Sequence, residues 1–81
     1  MRRLSYRPAV ESTLERMEAA DRTRIREALE RYASTAHGDV KPLHGEFRGL
    51  HRLRVGKWRV ILALESDLVR VISIDNRGQT Y

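Results

Sequence analysis

The fold is decided by residues 50–74, which read LHRLRVGKWRVILALESDLVRVISI. Apolar and polar residues alternate in much of this stretch, as they do along strands that are buried on one face only. Two turn signals, Gly56-Lys57 and Ser66-Asp67, divide the stretch into three runs. We therefore predict three antiparallel strands at Leu50–Val55, Trp58–Glu65 and Leu68–Ile74.

The same alternation assigns residues to the two faces of the predicted sheet. One face is mostly apolar and carries His51, Leu53, Val55, Trp58, Val60, Leu62 and Leu64. The other face carries Arg52, Arg54 and Arg59. Trp58 is therefore expected to be a core residue and not a platform for a nucleobase, since it shares its face with aliphatic side chains.

Upstream of Gly38 the apolar spacing changes to that of helices. Residues 2–6 are compatible with a short strand, and Pro8 suits the first turn of a helix. Asp21 is predicted to be the N-cap of a second helix, which Gly38 ends. The apolar positions of the two helices are Val10, Leu14, Met17, Ile25, Ala28, Leu29, Tyr32, Ala33 and Ala36.

These elements predict one α+β domain spanning residues 1–81. A short N-terminal strand and a helical hairpin should pack on one face of a three- to four-stranded antiparallel sheet. The opposite face, which carries the arginines, would then stay open to a partner.

The charge balance favours a polyanionic partner. Lys and Arg number 16 against 11 acidic residues, which gives a net charge of +5 and a sequence pI near 10.4. Nucleic acid, the ribosome or an acidic protein would suit such a surface. The absence of cysteine excludes a disulfide framework. With neither a signal peptide nor a membrane span in the sequence, we expect a soluble, cytoplasmic protein.

The three histidines raise the question of a metal site. His37, His44 and His51 recur every seven residues, which would align them on a continuous helix. Gly38 and Pro42 interrupt any such helix. We therefore predict no metal and no cofactor.

Three segments resemble the RelE/ParE superfamily of toxins from toxin–antitoxin systems. They are KPLHG at 41–45, GLHRLRVGKWRV at 49–60, and VISI at 71–74 followed by NRGQTY at 76–81. The resemblance implies a β-α-α-β-β-β fold and a heteromeric complex with a cognate antitoxin. It also implies one of two activities: ribosome-dependent, metal-free cleavage of mRNA in the A site, as in RelE-like members, or inhibition of DNA gyrase, as in ParE-like members.

The resemblance also implies a set of site residues for RNA cleavage. Arg59 and Arg77 match arginines that neutralise the scissile phosphate, and Tyr81 matches a tyrosine that holds the nucleotide. Arg52 lies where the more reactive members have a lysine, and Leu50 lies where a second lysine can occur. We assign the catalytic positions to Arg52, Arg59, Arg77 and Tyr81, and RNA or phosphate binding to Lys41, Arg54 and Lys57.

With arginine at position 52, the sequence does not identify the general base. A guanidinium with a pKa above ~12 stabilises a phosphorane but removes a proton poorly at neutral pH. The chemistry is then slow, or the ribosome supplies the missing group, or His44 or His51 contributes. His51 is predicted to point toward the helices, away from Arg52, which argues against it.

The sequence is compatible with other interpretations as well. Arg52, Arg54 and Arg59 are also compatible with a solvated sheet face that binds nothing. The missing lysine at position 50 favours a gyrase inhibitor of the ParE type, whereas Arg59, Arg77 and Tyr81 together argue for a ribonuclease. A third possibility is a catalytically degenerate member that only binds its antitoxin.

Overall fold

The chain folds into two helices and a five-stranded sheet; the structure is a computed structural model that describes residues 2–76. The helices are α1 (Pro8–Arg16) and α2 (Ala19–Thr35), and a short 3-10 helix spans Gly45–Phe47. The strands are β1 (Arg3–Tyr6), β2 (Val40–Pro42), β3 (Leu50–Val55), β4 (Trp58–Leu64) and β5 (Leu68–Asn76).

The sheet has the strand order β1-β5-β4-β3-β2. Strand β1 runs parallel to β5, and the other neighbours are antiparallel. This confirms the α+β class, the N-terminal strand and the three consecutive strands. The sheet is nevertheless mixed and five-stranded, where the sequence predicted three or four antiparallel strands. Three residues with a proline in β2 carry no alternation signal, and the side on which β1 joins is set by long-range pairing.

Both helices cover the same face of the sheet. Their apolar residues and those of the strands form one core, in which Val10, Leu14, Ile25, Leu29, Leu53, Val60, Leu62, Val69 and Val71 are fully buried. The predicted face assignment is confirmed. Trp58 and Leu64 pack against this core, whereas Arg54 on the other face is exposed.

The connection between the helices differs from the prediction. Helix α2 begins two residues before Asp21, so this residue lies in the first helical turn and is not the N-cap. Its carboxylate still lies near the positive end of the helix dipole. In addition, Nη1 of Arg22 donates hydrogen bonds to the carbonyl oxygens of Leu14 (3.2 Å) and Met17 (3.3 Å). Arg22 thereby donates to carbonyls at the end of α1, where the oxygen of Leu14 also accepts from the amide of Met17 at 3.3 Å.

A three-residue cluster joins β1 to both helices. Nη2 of Arg26 in α2 donates a hydrogen bond to Oε1 of Glu11 in α1 at 2.9 Å. The same guanidinium lies 5.0 Å from the ring centroid of Tyr6 in β1, within cation–π range. Burial raises the pKa of Tyr6 above the ordinary value of 10.0, and a hydrogen bond from Arg26 offsets part of this rise.

The raised pKa of Tyr6 predicts a loss of stability in base. The folded state holds the phenol proton more tightly than the unfolded chain does, so this contribution is present below pH ~10 and is lost as the pH rises through the folded-state pKa. Urea unfolding of the wild type and of Tyr6→Phe at a series of pH values from ~8 to ~11 would measure it. We expect the wild type to lose stability more steeply than the variant above pH ~10. Identical pH profiles would contradict the prediction.

Candidate functional site on the open sheet face

The sheet face opposite the helices gathers the arginines of β3 and β4. Residues directly opposite each other on neighbouring strands point to the same face. Lys41, Arg52 and Ile61 form one such row across β2, β3 and β4. Arg54, Arg59 and Asp75 form the next row across β3, β4 and β5. We call this surface the open face; it brings together four of the cations that the sequence predicted for the site.

Like charges stand directly opposite each other in the second row. Arg54 faces Arg59 across the β3–β4 pair, an arrangement that destabilises a sheet unless counter-charges are present. Asp39 supplies one, with its Oδ2 atom 3.8 Å from Nε of Arg54. Asp75 supplies the other. The two carboxylates allow the open face to keep its cations close together.

The contact between Arg59 and Asp75 is bidentate. Nε of Arg59 donates to Oδ1 at 3.1 Å, and Nη2 donates to Oδ2 at 3.4 Å. The side chains are 29% and 38% exposed, so water still screens the pair. Sequence reasoning missed Asp75, because its place beside Arg59 follows only from the register of β4 and β5. Its negative charge offsets positive charge that Arg59 would otherwise offer to an anion.

A groove lies beside this ion pair on the open face. Its volume is about 510 Å³. The ion pair and Ser73 form its polar side. Its apolar walls are Leu43, Phe47, Leu50, Ile61 and Ile72.

A bulge in β5 shapes the floor of the groove. Ile61 pairs with Ser73 and Leu62 pairs with Val71, so Ile72 is an extra residue without an opposite partner. A bulge of this kind interrupts the alternation of side chains, so two successive side chains can lie on the same side of a strand. Ile72 and Ser73 accordingly both line the groove.

Similarity to known proteins lies in the fold more than in the sequence. No protein-family model and no curated protein matches the sequence. Solved structures do match. RelE in the RelE–RelB complex from Pyrococcus horikoshii OT3 has a TM-score of 0.74 at 25% identity, with 98% of each chain covered. The RelB–RelE complex from Methanococcus jannaschii gives 0.74 at 18% identity with 91% of each chain covered, and YafQ from E. coli gives 0.75 at 15% with 96% of each.

The chain has the RelE/ParE fold. The predicted resemblance to the RelE/ParE superfamily is thereby confirmed at the level of the fold. In this RelE/ParE fold the helical hairpin occupies one sheet face, and the open face with Arg52, Arg54 and Arg59 is the face that the helices leave uncovered.

Other predicted site residues lie elsewhere. Lys57 is in the β3–β4 turn, where its Nζ atom is 5.7 Å from the ring centroid of Trp58, and it does not line the groove. Arg77 and Tyr81 lie outside the described residues. His51 is half-buried on the helix-packed face, as predicted, which removes it from the neighbourhood of Arg52. His44 is exposed at the start of the loop that carries Phe47.

Two further properties concern residues 2–76 only. Within this range no group of three or more His, Asp or Glu side chains is placed to hold a metal ion. Neither helix of this part of the RelE/ParE domain combines the length and the apolar character needed to cross a bilayer.

Proposed function

We propose that this protein is the toxin of a type II toxin–antitoxin system and a metal-free endoribonuclease that cleaves mRNA in the ribosomal A site. The observation that carries the proposal is the juxtaposition of Arg52, Arg54 and Arg59 on the open face beside a groove. The fold supports it, because the solved structures that match include RelE in complexes with RelB. Uncontrolled cleavage of translated mRNA would arrest growth.

The chemistry requires three groups acting on one phosphodiester. The 2′-hydroxyl must lose a proton, the pentavalent phosphate needs positive charge, and the 5′-oxygen needs a proton. Guanidinium groups are well suited to the second task because they bind phosphate oxygens in a bidentate way. Arg59 and Arg52 would serve it from the sheet. Arg77 and Tyr81 would complete the site, Arg77 near the leaving oxygen and Tyr81 on the nucleotide, as the resemblance implies.

Two features of the site predict slow chemistry. Leu50 forms an apolar wall of the groove at the position where reactive family members can have a lysine. Arg52 supplies positive charge, but it is a poor general base because its guanidinium stays protonated at neutral pH. Positioning of the mRNA by the ribosome would then supply most of the rate enhancement, through orientation of the 2′-hydroxyl toward the phosphate.

The partners of such a toxin follow from its charge. A domain of net charge +5 with an open cationic face fits an acidic antitoxin segment that folds on binding. The antitoxin would hold the toxin inactive in a heteromeric complex in the cytoplasm. The ribosome and mRNA are the partners of the released toxin.

Mapping of transcript 5′ ends tests the proposal. Shortly after induction without antitoxin, the wild type should create new mRNA ends in phase with the reading frame. Arg77→Ala should create none while the protein stays folded. Arg31→Ala is the matched control: Arg31 is an exposed arginine of α2, which covers the other face of the sheet, and its loss should leave cleavage unchanged. Unphased ends, or no new ends with the wild type, would refute the ribonuclease.

A second candidate function is inhibition of DNA gyrase. The apolar residue at position 50 and the carboxylate of Asp75 against Arg59 favour it, because both weaken a phosphate-cleaving site. Growth arrest without new mRNA ends, together with loss of supercoiling by purified gyrase, would establish it. Harmless expression without antitoxin would instead indicate a member that only binds its antitoxin.

A further inference from the structure

Phe47 is the one exposed large apolar side chain among residues 2–76, with 54% of its surface accessible. It lines the groove together with aliphatic residues of the sheet. The ring and the aliphatic walls form one contiguous exposed apolar surface, and such surfaces are typical of binding sites. Neither the charge pattern nor the resemblance assigns any role to Phe47.

The ring is carried by a hydrogen-bonded loop. The amide of Leu43 donates to the carbonyl of Leu50 at 2.9 Å and closes the base of the loop. Inside it, the amide of Phe47 donates to the carbonyl of His44 at 3.3 Å. Gly45 and Gly49 have positive φ values of 70° and 97°, which residues other than glycine rarely adopt. The loop therefore presents Phe47 in a defined position at the rim of the groove.

The surroundings of the groove favour a single-stranded nucleotide. Arg52 and Arg54 are two residues apart on β3, so they stand about 6.6 Å apart along the strand and can contact neighbouring phosphates. Beside them the groove offers an apolar space with one aromatic wall. Cations along a backbone track, with an aromatic ring next to them, are the features that single-stranded nucleic-acid sites combine.

We infer that Phe47 is a stacking platform for one nucleobase of the mRNA, which enters the groove while Arg52 and Arg54 hold the adjoining phosphates. This inference rests on the proposed ribonuclease function and adds a substrate-binding residue to it. Stacking is sequence-tolerant because every base has a π-face, so Phe47 would position the nucleotide without selecting a codon. Its loss should raise KM more than it lowers kcat, since the ring contacts the substrate before and during the reaction.

The test uses the purified full-length protein, 70S ribosomes and one defined mRNA in the A site. We compare Phe47→Ala and Phe47→Leu with Phe47→Tyr, which keeps an aromatic face. The alanine and leucine variants should lose about 5- to 150-fold in kcat/KM, which corresponds to one base stack. Phe47→Tyr should stay within about threefold of the wild type. The neighbouring Glu46→Ala, which does not line the groove, controls for disturbance of the loop and should cleave like the wild type.

The outcomes separate this inference from the function on which it rests. A wild type that cleaves nothing overturns both. If the wild type cleaves and Phe47→Leu is equally active, only the stacking role is overturned, because leucine fills space but has no aromatic face. Thermal unfolding of each variant checks that losses are not due to misfolding.

Discussion

Arg59→Ala is expected to reduce mRNA cleavage by about 100- to 1,000-fold, the usual effect of removing one group that stabilises charge in the transition state. Arg59 lies on the central part of the open face and lines the groove. Without it, Asp75 would present an uncompensated carboxylate to an approaching phosphate. The effect should fall on kcat, measured with ribosome-bound mRNA, because charge on the phosphate oxygens grows toward the transition state.

The Arg59–Asp75 pair itself should contribute little to stability. Both side chains are partly exposed, and pairs of this kind contribute about 0.2–1 kcal/mol. Arg59→Ala should therefore remain folded in urea unfolding. Asp75→Asn is the matched control; it leaves Arg59 in place, removes the competing carboxylate and should cleave at least as fast as the wild type.

A charge swap separates the ion pair from the phosphate contact. In the double variant Arg59→Asp, Asp75→Arg the pair is restored with the guanidinium on β5. We expect stability near that of the wild type and no recovery of cleavage, since β5 and not β4 then carries the guanidinium. Full recovery of cleavage in the swap would show that the pair matters and the position of Arg59 does not.

Leu62→Ala is expected to have the largest effect on stability. Leu62 is fully buried in β4, between β3 and β5 in the sheet. Truncation of a buried leucine costs about 3 kcal/mol through lost burial and the cavity left behind. A domain of this length has a total free energy of unfolding of roughly 4–12 kcal/mol. The melting temperature should therefore fall by roughly 12–24 °C, measured by circular dichroism.

The adjacent residue provides the control for Leu62→Ala. Ile61 has the same composition of side-chain atoms, but it faces the groove and is only half-buried. Ile61→Ala should lower the melting temperature by less than half as much. Equal losses at both positions would mean that the open face is as tightly covered as the core, which would contradict the proposed site.

Much of the helix-packed face could be predicted from sequence, because strand alternation is a local property. A strand points successive side chains to opposite faces whatever its partners are. The apolar series through Val60 and Leu62 therefore had to face the helices, and Arg52 and Arg54 had to face away. The helical stripe from Ile25 to Tyr32 follows from the period of the α-helix in the same way.

The details of the candidate site could not be predicted in this way. Asp75 meets Arg59 because β4 and β5 pair in one particular register, and sequence alternation does not define that register. The extra residue Ile72 shifts the pattern of β5 by one and brings a second side chain to the groove. Alternation alone gives no sign of this shift, since the run VRVISI reads as a continuous strand.

By itself, the sequence determined the class of the fold, the buried face and the presence of a cationic open face, because each depends on the period of a single element. Only the tertiary structure decided which groups meet there: β1 beside β5, Asp75 against Arg59, and Phe47 over the groove. These contacts join residues far apart in the chain. Their geometry depends on strand register, bulges and loop closure, which are settled when the whole sheet packs against the helices.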